Sequence, residues 1–194
     1  MKAWSTLALF VGLSAAAVVT PDQPYKVADS APTTAAALVP EGAPADYHTD
    51  SVVLTDQQTV KALIESRRDA SRKARGTLVA RDFYECSTAG NPPRANDCNT
   101  VITNVRAANQ GLVIAPGACL LFQFSTCWGF FCALCERLGT DTNFIGSQLS
   151  TVQTLCVNGG SAGTVVGEAP PQWEAGFIRS NGQLPNYAGE VCKK

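Results

Sequence analysis

Eight cysteines, at positions 86, 98, 119, 127, 132, 135, 156 and 192, all lie within residues 82–194, and none precedes them. An even number of cysteines is free to pair completely, and what they pair with depends on the redox compartment. The N-terminus predicts that compartment. Lys2 precedes an apolar run from Leu7 to Val19, and Ala15 and Ala17 occupy the −3 and −1 positions of a cleavage site. This is the pattern of a signal peptide over residues 1–17. The run is too short for a spanning helix, and no later segment reaches about 18 apolar residues without a polar break. The expected product is therefore exported, has no transmembrane segment, and closes its thiols into up to four disulfides. Eight cysteines allow 105 pairings, and the sequence does not choose among them. Zinc would need reduced thiolates, and Cys132-Ala-Leu-Cys135 has neither a second such pair nor a nearby histidine to complete four ligands. A redox dithiol would need a thioredoxin-like βαβ context, which the chain does not offer.

Residues 18–81 are rich in Ala, Pro, Thr and Asp and contain no cysteine. Such a composition buries little apolar surface against its ordering entropy and predicts a largely disordered pro-segment. Within it, Thr55-Asp-Gln-Gln58 has the form of a capping box, followed by Val60, Leu63 and Ile64 at helical spacing, which predicts a short helix near 56–74. The basic stretch ESRRDASRKAR follows. Arg67-Arg68 resembles the dibasic site of fungal secretory processing proteases, and Arg81 is a second candidate ahead of the first cysteine. The alternative is a solvated basic helix face.

Residues 82–194 are long enough for one domain with its own core. They hold six Lys or Arg against eight Asp or Glu, a net charge of −2 with no basic stripe. Binding to nucleic acid through bulk electrostatics is therefore not expected. Two helices are predicted from cap, stripe and stop together. In the first, Asn96 or Asp97 caps a face of Cys98, Val101, Ile102 and Val105, and Asn109-Gln-Gly111 ends it. In the second, Thr142 or Asn143 caps Ile145, Leu149, Val152, Leu155 and Cys156, and Asn158-Gly-Gly160 ends it. Between them GLVIA and ACLLFQFS, joined by Pro116-Gly117, read as a hairpin, and AGTVVG and QWEAGFIR read as two further strands around Pro170-Pro171. The expected fold is α+β: a disulfide-stabilised two-layer sandwich, with an antiparallel sheet of about four strands and two helices on one face.

The stretch CWGFFCALC sets Trp128, Phe130 and Phe131 among three cysteines. On this scheme it forms an irregular, disulfide-held connection after the second strand. Its aromatics then either fill the edge of the core or form a rigid apolar tip that binds a receptor or membrane at little ordering cost. Enzyme readings are weaker. GGSAG matches G-x-S-x-G, but a helix precedes it rather than a strand, and the only histidine, His48, lies in the expected pro-segment. Without a histidine the domain has no Ser-His or Cys-His activation. What remains is a carboxylate pair drawn from Asp141, Glu168 and Glu174, of the kind a cell-wall hydrolase uses. A structural cell-surface protein is a third class; no N-x-S/T sequon supports a glycosylated coat.

Cys86, Asp97-Cys98 opening a helix, Gly117-Ala-Cys119 opening an apolar strand, and Ile145-Gly146 leading a helix to Cys156 form a pattern over residues 86–163. It resembles the small secreted fungal necrosis-inducing effector family and its killer-toxin relatives. Cys127, Cys132, Cys135 and Cys192 lie outside that pattern. The resemblance implies an α/β sandwich released from signal and pro-segment. Such a protein would act by binding a surface target on a host plant or competing microbe, with no cofactor and no chemistry of its own. It assigns no functional residue.

Overall fold

ACLLFQF and CWGFFCA are apolar at successive rather than alternate positions, and strands of that kind need cover on both faces. The computed structural model describes residues 38–53, 82–87 and 91–192, and in it both segments are inner strands of one sheet. In chain order the elements are β1 (His48–Val53), β2 (Phe83–Ser87), α1 (Ala95–Ala108), β3 (Gly111–Ile114), β4 (Ala118–Phe124), β5 (Cys127–Ala133), β6 (Leu138–Asp141), α2 (Thr142–Leu155), a 3-10 turn (Val157–Gly159), β7 (Ala162–Gly167), β8 (Trp173–Arg179) and the short α3 (Ala188–Val191). The fold is α+β. Six strands form one antiparallel sheet in the order β1-β4-β5-β8-β7-β2, and β3 pairs with β6 in a separate two-stranded ribbon.

Three expectations change here. The sheet has six strands rather than about four, because β1, β2 and β5 join β4, β7 and β8 while β3 leaves it. The turn at Pro116-Gly117 forms, with Gly117 in the left-handed region at φ 72, but β3 and β4 do not make a hairpin. Instead β3 runs to β6 in the register Gly111↔Asp141, and β4 pairs with β5 and β1. Finally, CWGFFCA is a strand and not an irregular connection.

The helices start and stop close to where their signals lie. Asp141 Oδ1 accepts a hydrogen bond from Phe144 N at 2.7 Å, so the cap of α2 is the residue before Thr142 and Asn143. Asp97 lies in the first turn of α1, and its carboxylate reaches across to the β4–β5 turn. There Thr126 donates to it from its backbone N at 3.1 Å and from its hydroxyl at 2.6 Å. Burial alone would raise the Asp97 carboxyl, but these hydrogen bonds, one from Ser125 and the charge of Arg94 outweigh it and hold the group below its usual range. Asn109 closes α1 in the left-handed conformation at φ 44.

The helices pack on the face of the sheet formed by Leu120, Phe122, Phe131, Ala175 and Phe177, against Val101, Val105, Ile145, Leu149 and Val152, all buried. Phe131 stacks on Trp173 with centroids 5.6 Å apart, and Phe144 meets both rings edge-on. On the opposite face Cys119, Leu121, Phe130, Cys132, Leu134 and Val166 are covered by the C-terminal segment through Leu184, Tyr187, Ala188 and Val191. Both faces of the central strands are thus dry.

Residues 38–53 fall within the stretch expected to be disordered, yet they are part of this packing. β1 adds six register pairs to β4, and Leu38 and Tyr47 are buried in the main core. This segment supplies few apolar groups of its own and is held by a core that the later sequence builds. The helix expected near 56–74 lies outside the described residues, as do Arg67, Arg68 and Arg81.

All eight cysteines are paired. The disulfides are Cys86–Cys156, Cys98–Cys127, Cys119–Cys132 and Cys135–Cys192. The first ties β2 to the end of α2, the second ties α1 to the start of β5, the third bridges register partners of β4 and β5, and the last fastens the C-terminal segment. Gly163 carries no side chain because a Cβ there would collide with the Cys156 sulfur.

Candidate functional site

The aromatic residues singled out in the sequence do not form a tip. Phe130 and Phe131 are both 0 % exposed and point to opposite faces of β5, one strand from either neighbour in the middle of the sheet. Trp128 is half-buried on the Phe130 side, in register with Gln123 of β4 and Ile178 of β8. The binding-tip reading is therefore corrected for Phe130 and Phe131, whose area is already spent on the core. The density of cysteines around them reflects three different bridges converging on β5 and its exit.

The three carboxylates considered as a hydrolytic pair occupy different environments. Asp141 caps α2, and Glu168 follows β7 near Asp82, whose carboxyl is raised by burial and partly lowered by a backbone hydrogen bond from Glu168. Glu174 is the unusual one. It is 0 % exposed on β8, its Oε2 accepts from Tyr187 N at 3.1 Å, and its Oε1 meets no donor among the described residues. Burial pushes its carboxyl up to about 8, with the Tyr187 N–H working against the shift and the charge of Glu190 adding to it. Shifts of that size accompany catalytic acids, but such an acid must touch a substrate. Glu174 instead faces the covering C-terminal segment. The Cys119 and Cys132 sulfurs and a Glu174 oxygen lie within 4.8 Å of one another, the spacing of a metal site. Those sulfurs are joined to each other, so they offer no thiolate ligands. The GGSAG segment is a helix exit, with Gly160 at φ 78 ending the 3-10 turn and Gly163 already inside β7. His48 is exposed at the start of β1.

The concave surface lies on the other side of the helix layer. Asn99, Thr103 and Arg106 on α1 face Ser150, Gln153 and Thr154 on α2 across a groove of about 400 Å³ whose floor includes Ile102 and whose end is Asn158. Thr103 and Thr154 donate to Asn99 O and Ser150 O, each one turn back on its own helix. Arg106 provides the one charge in the lining, and its guanidinium donates to Gly146 O at 3.3 Å. The helices come close because Gly146 leaves room for the Arg106 stem; a Cβ there would meet Arg106 Cγ at 2.5 Å. In the sequence Ile102 and Asn158 read only as helix stripe and helix stop, and the other lining positions carry no signal there. Polar residues at helical spacing carry the same pattern whether they line a groove or merely face water.

Among the described residues no helix is long and apolar enough to cross a membrane. Compared with protein-family models and with curated proteins, the chain matches none.

Proposed function

We propose that the chain is a secreted effector or toxin-like protein that acts by binding on a host plant or a competing microbe, without chemistry of its own. The observation that carries this reading is the complete pairing of eight cysteines across the sheet, both helices and the C-terminal segment. Bridges of this number persist in oxidising compartments and let a small domain keep its surface fixed outside the cell. The sheet with α1 and α2 on one face forms a two-layer body, and the groove between the helices is its binding surface. Hydroxyls, amides and one guanidinium suit a hydroxyl-rich or anionic surface group.

Infiltrating the purified oxidised protein into plant tissue, or adding it to competing fungi, is expected to give a response that disappears when the protein is reduced. Arg106→Gln is expected to lower that response several-fold with little change in the melting temperature. No response in either assay at micromolar doses overturns the proposal.

A further inference from the structure

Residues 38–53 are held on the domain by noncovalent contacts alone. No cysteine precedes Cys86, so no disulfide holds them, and their one covalent link to the rest runs through residues 54–81. The contacts are nevertheless those of an integral strand. β1 is in register with β4 from His48↔Gln123 to Val53↔Ala118, and Asp50 Oδ2 accepts from Gln123 Nε2 at 2.8 Å. Leu38 is 0 % and Tyr47 3 % exposed in the helix-side core, and Val52 packs on the opposite cluster. Two tight turns, Ala43 N to Pro40 O and Tyr47 N to Pro44 O, carry the chain from one anchor to the next.

Two features of the sheet decide what happens when the link is cut. First, β1 and β2 lie at opposite edges of six strands, about 24 Å apart at ordinary strand spacing. A connection of the length of residues 54–81 can reach about 90 Å, far more than this separation needs, so the β1–β4 pairing has to be held by its own contacts. Second, β1 is the cover of β4. Without it, β4 would become an edge strand in which Cys119, Leu120, Leu121 and Phe122, now buried, border an unpaired row of backbone groups. Long apolar edges of that kind recruit other chains and aggregate. A product that discarded residues 38–53 would thus lose both a stretch of core and its protection against self-association.

We infer that residues 38–53 stay seated on the β4 edge as a separate, noncovalently held strand after cleavage at Arg67-Arg68, so that the processed protein has two chains. The inference rests on the secretion proposed above and on the reading of Arg67-Arg68 as a dibasic processing site. It makes this part of the expected pro-segment a lasting subunit.

The test uses the full chain with the recognition sequence of a site-specific protease in place of residues 65–70. After cutting, native size-exclusion chromatography at low micromolar concentration is followed by denaturing mass spectrometry of each peak. Both fragments are expected in one peak at the size of the uncut chain. Leu38→Ala is expected to raise the dissociation constant between them by about a hundredfold. An N-terminal fragment that elutes alone in the unsubstituted protein overturns the inference. Mapping the natural secreted product separates the two ways of failing: a chain still continuous through Arg67-Arg68 removes the cleavage, whereas a shed fragment after the in vitro cut removes the retention.

Discussion

Glu174 is expected to make the domain more stable in mild acid than in mild base. Its ordinary carboxyl value is 4.5 and its folded value is pushed up to about 8, because the charged form would sit without solvent beneath the C-terminal segment. A raised acid favours the protonated form in the folded state, so between these values the folded chain holds a proton that the unfolded chain has lost. The contribution to stability is fully present below about pH 4.5 and disappears as pH rises through about 8. At ~1.36 kcal/mol per pH unit, the window amounts to about 5 kcal/mol. Glu174→Gln keeps the size of the side chain and the acceptor for Tyr187 N, and removes the titration. Asp82 is also raised by burial and adds a slope of the same sign, so the difference between the two proteins is what isolates Glu174. Urea unfolding with disulfides intact, from about pH 4 to about pH 9, should show the wild-type midpoint falling toward base and the variant falling much less. The variant should be the more stable protein at the basic end. Parallel curves for the two proteins would refute the argument, since they would mean that the carboxyl either stays solvated or titrates equally in both states.

Two shorter predictions concern the core and its staples. Phe131→Ser should cost about 3 kcal/mol or more, read as a lower urea midpoint, because it empties a site packed between Trp173 and Phe144; a well-folded variant with unchanged stability would restore the binding-tip reading. Replacing Cys135 and Cys192 together by Ser removes a bridge spanning 57 residues, and on the chain-entropy account costs about 4 kcal/mol. Hydrogen exchange should then accelerate first at Tyr187 to Val191, and uniform protection there would show that the packing holds the segment without its bridge.

What the sequence made legible was local. Val101, Ile102 and Val105 at helical spacing, with Asn109 to stop them, mark α1 because a helix writes its buried face into consecutive turns. The same reasoning misplaced the N-caps, by two or three residues in α1, where Arg94 holds the position, and by one or two in α2, where Asp141 does. Asp97 looks like an N-cap until Thr126, far along the chain, offers it better donors. Strand partners were not legible. β3 and β4 each read as apolar strands flanking a good turn, but nothing in either segment names its neighbour, and β3 went to β6. β5 escaped notice because a strand dry on both faces shows no alternation. β1 escaped because an edge strand such as HTDSVV is mostly polar, and its anchors Leu38 and Tyr47 lie outside it. The groove beside Arg106 was invisible for a related reason, since it is made by the approach of two helices at Gly146.

The strand order also fixes a timetable. As the polypeptide emerges N-terminus first, His48–Val53 is made long before β4, and Phe83–Ser87 long before β7. The two rims of the sheet are therefore synthesised early and seated late. Until the middle exists they have nowhere to go, and the nascent chain must be kept from finding other company in the meantime.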